Sequence, residues 1–357
     1  MRQDRYSFSK PRSRAKFRKT KFIVLLLTIV VIGYAGYSYI SSGKPAGDIL
    51  AFLANKSSGI QTVDSQKNSQ NSLPNSPQEG NSTDPDQWFD TLSTEDESYV
   101  LIDPSTQHLI YSHNPDLQRA PASTQKLLTG LVAMKTLKET DVVKVGNEVI
   151  LEGSQLGLKP GDEISVHDLL TALYVHSAND AAAALAVKTS GSIEAFAEEM
   201  NKYAVSLGCQ NSHFTNPHGL PDPNQYTSAR DLSKIAGEFL KNEDLMKYVK
   251  QTKAHLQWKD GQGGLHEADV ETTNHLLGIY PGSQGLKTGT TTAAGQCLVS
   301  YVSRADGDYL LVLLGSQQRF RDTIQLLDKA WEEERGSAAL KGLAADPQSL
   351  LSSPGIF

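Results

Sequence analysis

Three hydropathy patterns succeed one another along the chain and divide it. Residues 22–40, FIVLLLTIVVIGYAGYSYI, carry no charge. As a helix rising about 1.5 Å per residue they would just cross a hydrocarbon layer of roughly 30 Å. The run is long for the apolar core of a signal peptide and no clear A-x-A site follows it, so an uncleaved anchor is expected. Residues 41–95 show the opposite pattern. NSQNSLPNSPQEGNSTDPDQ holds almost no apolar residue. It cannot bury enough surface to offset the entropy of ordering, which predicts a flexible linker with an r.m.s. span of roughly 40 Å.

From residue 96 onward, strand and helix periods alternate. Segments 99–103 and 108–112 read as short strands around the turn Pro104-Ser-Thr-Gln. Helices are expected over 123–138, 166–176, 180–189, 193–207 and 229–240, the last with Ser228 as N-cap and Asp231 three residues on. Strand-like runs return at 285–290, 296–303 and 309–315. A helix at 319–334 closes a domain of residues 96–335 and leaves 336–357 as a loose tail. Strands at both ends with helices between them predict an α+β fold, one sheet built from the two ends of the domain with a helical region inserted.

Charge sharpens this division. Residues 1–21 hold nine basic side chains and one acid, a net of +8 in a chain of −6, so the remainder carries −14. A basic head on an acidic body argues against a nucleic-acid-binding domain and fits the positive-inside pattern of a membrane protein. The expected arrangement is a cytoplasmic segment (1–21), a single membrane span (22–40) and an extracytoplasmic domain. Cys209 and Cys297 both have apolar neighbours. A disulfide remains open, but buried free thiols are the reading preferred. No cluster has metal-ligand spacing, and no cofactor is expected.

The candidate chemistry lies in three short motifs: Pro121-Ala-Ser123-Thr-Gln-Lys126, Ser177-Ala-Asn179 and Lys287-Thr288-Gly289. A serine hydroxyl is a weak nucleophile until a base takes its proton. Three positions along a helix is one turn on the same face, so Lys126 can bring its amine to Ser123. A lysine acts as a base only when neutral, which calls for burial and a nearby cation. The apolar residues around Lys126 predict the burial, and Lys287 is the candidate cation. Ser177 can relay a proton to a leaving amine. Asn179 can hold Lys126 and bond a substrate amide. Lys287 and Thr288 can bind a terminal carboxylate, and Gly289 on an edge strand admits a substrate backbone as an added strand. The backbone N–H groups of Ser123 and Thr290 are the expected oxyanion hole. Each motif alone is weak; the ordered set is specific, and Ser-x-x-Lys with Ser-x-Asn and Lys-Thr-Gly marks penicillin-binding proteins and class A β-lactamases.

With PASTQKLLTG, HSANDAAAALA, NSHFTNPHGL, TTNHLL and GLKTGTTTAAGQCLVS, the chain resembles the D-alanyl-D-alanine carboxypeptidases, the low-molecular-mass penicillin-binding proteins, over about residues 96–335. The resemblance implies a β-lactamase/transpeptidase-like fold, a mostly antiparallel sheet flanked by helices plus a helical subdomain. It implies peptidoglycan stem peptides ending in D-Ala-D-Ala as substrate, an acyl-enzyme on Ser123, and acylation of Ser123 by β-lactam antibiotics. Two departures stand out. Gln125 replaces a common Thr, off the catalytic face and expected to matter little, and Thr290 stands where an aromatic residue or His is common. A β-lactamase of the same fold is the first alternative, but Ala197 in Ala197-Glu-Glu-Met-Asn201 takes the place of the glutamate such enzymes need. A non-catalytic penicillin-sensing module is the second. His218 and His275 lack partners at catalytic or metal spacing and are expected to be structural; for Trp258 and Tyr248 both packing and the lining of a ligand groove stay open.

Overall fold

The computed structural model describes residues 97–345, all within one contact unit of the chain. The expected basic segment, anchor and linker lie outside the described residues. Among the described residues no helix is long and apolar enough to cross a membrane.

The two ends of the domain build one antiparallel sheet, as the pattern predicts. Its order is β2 (Leu109–His113), β1 (Ser98–Ile102), β9 (Gly307–Ser316), β8 (Gly295–Arg304) and β7 (Ser283–Thr291). Val100 pairs with Val312 and Lys287 with Val299. β1 is buried along its whole length, because side chains alternate between two faces and each face meets a core. Val100, Ile102, Leu310, Val312 and Leu314 join the helical side. Tyr99, Leu101, Leu311 and Leu313 pack with Leu326, Leu327 and Trp331 of the last helix. β7 is an edge strand, with one side free for a ligand.

The helical region is α1 (Lys126–Ala133), α2 (Val166–Thr171), α3 (Asn179–Ser190), α4 (Ile193–Ser206), α5 (Ala229–Leu240), α6 (Glu243–Val249) and, after the sheet, α7 (Arg319–Ala345). Every residue of α1 is buried, so it is the central helix. Ala181–Ala184 and Ala186 of α3 are fully buried; their small side chains let neighbouring helices approach closely. Ser228 caps α5 as expected, accepting from the Asp231 N–H at 3.1 Å. Cys209 and Cys297 are buried free thiols, the preferred of the two readings.

Four features depart from the sequence reading. The helix expected over 123–138 is a 3₁₀ turn, Ala122–Gln125, followed by the shorter α1. Ala122 at φ +47° starts the turn, and i→i+3 bonds from Lys135 and Thr136 tighten the chain after α1. The helix expected over 166–176 is α2 only as far as Thr171 and then widens into a π turn, Ala172–His176. A second antiparallel sheet, β3 (Val142–Lys144), β4 (Glu163–Ser165), β5 (Lys253–Lys259) and β6 (Leu265–Glu271), is absent from the sequence reading. Two of its strands are too short to leave a periodic signal. Lastly, α7 runs through Ala345 rather than ending at 334, because Ala, Leu and Lys in 337–345 favour a helix over a tail.

The start of β1 carries a pH-sensitive group. Glu97 is only 3% exposed, and burial followed by the charge of Asp322 pushes its carboxyl up to about 7. Its folded proton affinity exceeds the unfolded one, so the fold loses stability as pH rises from about 4.5 to 7. Glu97→Gln should remove a loss on the order of 2–3 kcal/mol at pH 8. Thermal melts at pH 4.5 and 8 are expected to favour the variant at the higher pH only.

Candidate active site

The edge strand β7, the Ala122–Gln125 turn and the start of α3 meet at a cavity of about 210 Å³, lined among others by Ser123, Ser177, Asn179, Thr288 and Arg319. Backbone conformations rare for side-chain-bearing residues bring them there. Ala122 lies at φ +47° immediately before Ser123. The five-residue π turn, Ala172–His176, delivers Ser177 at φ +63°. Each left-handed residue costs roughly 1–2 kcal/mol, and the surrounding packing holds it. Gly219 closes against the serine turn: a Cβ there would lie 2.0 Å from the Ala122 carbonyl oxygen.

Lys126 is fully buried, and its Nζ lies 2.9 Å from Ser123 Oγ. The spacing of three brings the pair together, through a 3₁₀ turn in which i and i+3 side chains eclipse rather than along an α-helix. Lys126 Nζ also donates to Asn179 Oδ1 at 2.7 Å and to the His218 carbonyl at 2.8 Å. Burial first, and the charge of Lys287 second, hold its proton affinity well below the ordinary lysine value, while Asp180 opposes them. A neutral amine has two N–H groups and one lone pair. With its N–H groups on the two carbonyl oxygens, such an amine would have its lone pair left for the serine hydroxyl.

Lys287 is also buried. Its Nζ donates to Ser177 Oγ and to the Thr288 carbonyl, each at 2.9 Å. Burial, then Arg319, bring its pKa down to about 7. Gly289 lies hard against the serine turn: a Cβ there would be 2.8 Å from Ser123 N and 2.9 Å from Ala122 Cβ. Ser123, Lys126, Ser177, Asn179, Lys287, Thr288, Gly289 and Thr290 thus gather at this one cleft.

The sequence reading misses several neighbours. Arg319, at the start of α7, donates through Nη1 to the Gly289 carbonyl at 2.8 Å and to Thr290 Oγ1 at 2.6 Å. It belongs to no motif and lies 30 positions beyond Gly289, so only the sheet brings it back. The imidazole of His218 is neutral, its pKa pushed down to about 3 by burial and by Lys126; the backbone carbonyl is what reaches the site. His275 stacks on Phe320 instead, with ring centroids 5.0 Å apart. Thr273 shares a hydroxyl–hydroxyl bond with Thr288.

Gln125 corrects an expectation. It is fully buried, and its Nε2 donates to the Asn216 carbonyl. Asn216 Oδ1 in turn accepts from the Gly219 N–H at 2.8 Å, so Gln125 anchors the loop that presents the His218 carbonyl. Among the described residues no Asp or Glu lines the cleft, and Ala197 sits buried in α4.

The sheet, the inserted helices and the three motifs around one cleft define the class, a transpeptidase/β-lactamase-like scaffold. Residues 84–318 match the peptidase S11 family, D-alanyl-D-alanine carboxypeptidase. The D-alanyl-D-alanine carboxypeptidase DacF of Bacillus subtilis is 34% identical over 251 residues, 68% of this chain and 64% of that protein. DacA of Escherichia coli K12 is 34% identical over 233 residues, 62% of this chain and 56% of that protein. Among solved structures, the Streptomyces K15 DD-transpeptidase superposes with a TM-score of 0.63 at 27% identity, over 66% of this chain and 96% of that one. The chain belongs to the D-alanyl-D-alanine carboxypeptidase family, and it spans about three fifths of the length of the two curated relatives.

Proposed function

We propose that this protein is a serine-type D-alanyl-D-alanine carboxypeptidase acting on peptidoglycan stem peptides. The observation that carries the reading is the buried Lys126 amine 2.9 Å from Ser123 Oγ, held there by Asn179 Oδ1 and the His218 carbonyl. Ser123 Oγ attacks the carbonyl carbon of the penultimate D-alanine, and its proton passes to Lys126. The backbone N–H groups of Ser123 and Thr290 stabilise the oxyanion. The C–N bond then breaks, and the leaving D-alanine amine takes up a proton relayed through Ser177. Asn179 holds Lys126 and the substrate amide. Thr288, Lys287 and Arg319 provide the hydroxyl and positive charge suited to a terminal carboxylate. Water, activated by Lys126, finally hydrolyses the ester and restores the serine.

Incubation with a diacyl-Lys-D-Ala-D-Ala peptide tests this reading. Release of one D-alanine per peptide, lost in Ser123→Ala, is expected; no release would overturn it. The likeness to a DD-transpeptidase favours a second outcome for the same acyl-enzyme, attack by an amine instead of water. Adding an amine acceptor to the assay separates the two by product mass.

A cleft wall without a carboxylate among the described residues argues against a class A β-lactamase, since no acid there stands ready to activate the deacylating water. A bound penicillin is therefore expected to stay on Ser123. The proposed placement follows from the charge and hydropathy of the first 95 residues: 1–21 stay in the cytoplasm, 22–40 anchor the chain in the cell membrane, and 41–95 tether the catalytic domain outside. Sedimentation of the full chain with membranes, abolished by deleting residues 1–40, is the expected result; a full chain that stays in the supernatant would contradict it.

A further inference from the structure

Asp180 follows the Ser-x-Asn motif at the start of α3 and is fully buried, yet the mechanism above gives it no part. Its Oδ1 accepts from the N–H groups of Leu156 at 3.0 Å and Ala181 at 2.9 Å. Its Oδ2 accepts from Gly157 at 2.8 Å and Leu158 at 3.1 Å. Three successive N–H groups of one loop thus end on a single carboxylate. The loop is joined to the same corner twice more. Asn179 N–H donates to the Ser154 carbonyl, and Ser154 Oγ donates to the His176 carbonyl, each at 2.7 Å.

The same loop supplies the Glu152 carbonyl, which accepts from Asn179 Nδ2 at 2.8 Å. That bond decides which way the Asn179 amide faces. With Nδ2 on Glu152, Oδ1 is left to accept from Lys126 at 2.7 Å. A flipped amide would aim an N–H group at the lysine amine, donor against donor.

We infer that Asp180 is a positioning residue for the reaction: by pinning residues 156–158 it holds the Glu152 carbonyl on Asn179, and so keeps the Asn179 acceptor on Lys126. This rests on the proposed role of Lys126 as the base. Asp180 also acts on the amine by charge, so its removal leaves a second signature, in the titration of the site, beside the loosening of the loop. The groups acting on Lys126 are Lys287 from β7 and Asp180 from α3, with opposite signs. His218, from the loop before α5, is neutral, and Arg319 from α7 acts on Lys287. The Tyr174 hydroxyl, which donates to the Lys126 carbonyl, is also neutral. Removing the Asp180 charge takes away the opposing negative group and lowers the proton affinity of Lys126 further.

The test is Asp180→Asn in the full chain. An amide nitrogen must then face N–H groups of the loop or of Ala181, and the loop loosens. Acylation by penicillin is expected to slow about 10- to 100-fold, the scale on which misplaced catalytic groups act. The acid limb of its pH–rate profile is expected to move to lower pH, and hydrogen exchange in 152–158 to speed up. Ser154→Ala, which loosens the loop and leaves the charge, should speed the same exchange and slow acylation a few-fold without moving the acid limb; it serves alone if Asp180→Asn does not fold. A wild-type protein that penicillin does not acylate overturns the proposed function itself. Normal wild-type acylation, with an Asp180→Asn variant that keeps its rate, acid limb or loop protection, overturns this inference alone. So does a Ser154→Ala variant with unaltered exchange and rate.

Discussion

Lys126→Ala is expected to slow acylation of Ser123 by a β-lactam at least about 10³-fold, within the range attributed to a positioned general base. The fully buried amine lies 2.9 Å from the serine oxygen, and among the described residues no other base is built into that contact. His218 offers its carbonyl there, which takes no proton at working pH. The fold should survive. Truncation leaves the Asn179 Oδ1 and His218 carbonyl acceptors short of a donor, at about 1–3 kcal/mol each, but it also removes an amine whose burial is itself unfavourable. Lys126→Arg is the sharper variant. A guanidinium keeps the positive charge and does not deprotonate in proteins, so it should be as inactive as alanine. Stopped-flow acylation with a reporter β-lactam, alongside a thermal melt, checks both. An active Lys126→Arg would remove proton abstraction by Lys126 from the account.

Gly289→Ala has the second largest expected effect. Its Cβ would lie 2.8 Å from Ser123 N and 3.1 Å from Thr124 N, distances at which backbone must move. β7 would have to withdraw from the serine turn, carrying Thr290 and its N–H with it. Since one oxyanion donor is worth about 10²–10³ in rate, a fall of about 10²-fold in kcat/KM for the D-Ala-D-Ala peptide is expected, with the thermal midpoint lowered by the forced backbone shift but the protein still folded at the assay temperature. Steady-state kinetics at fixed pH reads this. An unchanged kcat/KM would show that β7 and the serine turn need not touch.

Much of the site is legible in the sequence because its chemistry depends on short spacings. Ser123 and Lys126 meet whether the intervening backbone is α or 3₁₀, so the wrong helix type does no harm to that pairing. Lys287-Thr288-Gly289 is legible because a charged residue inside an apolar strand needs a reason. Arg319, the His218 carbonyl and the Glu152 carbonyl are not legible. The first reaches the cleft only through the pairing of β7, β8 and β9, and the other two act through backbone atoms that every residue possesses. Gln125 illustrates a different limit. Facing away from the catalytic side says nothing of its buried bond to the Asn216 loop. In the fold, long amphipathic helices and buried strands leave a period, whereas the three-residue strands β3 and β4 cannot.

Peptide mapping by mass spectrometry after brief penicillin treatment addresses the central claim most directly, because it reports which hydroxyl the lysine has activated. The expected result is one stoichiometric adduct on the peptide containing Ser123, absent from Ser123→Ala. An adduct on Ser177 or Ser154, or none at all on a folded wild-type protein, would contradict the account.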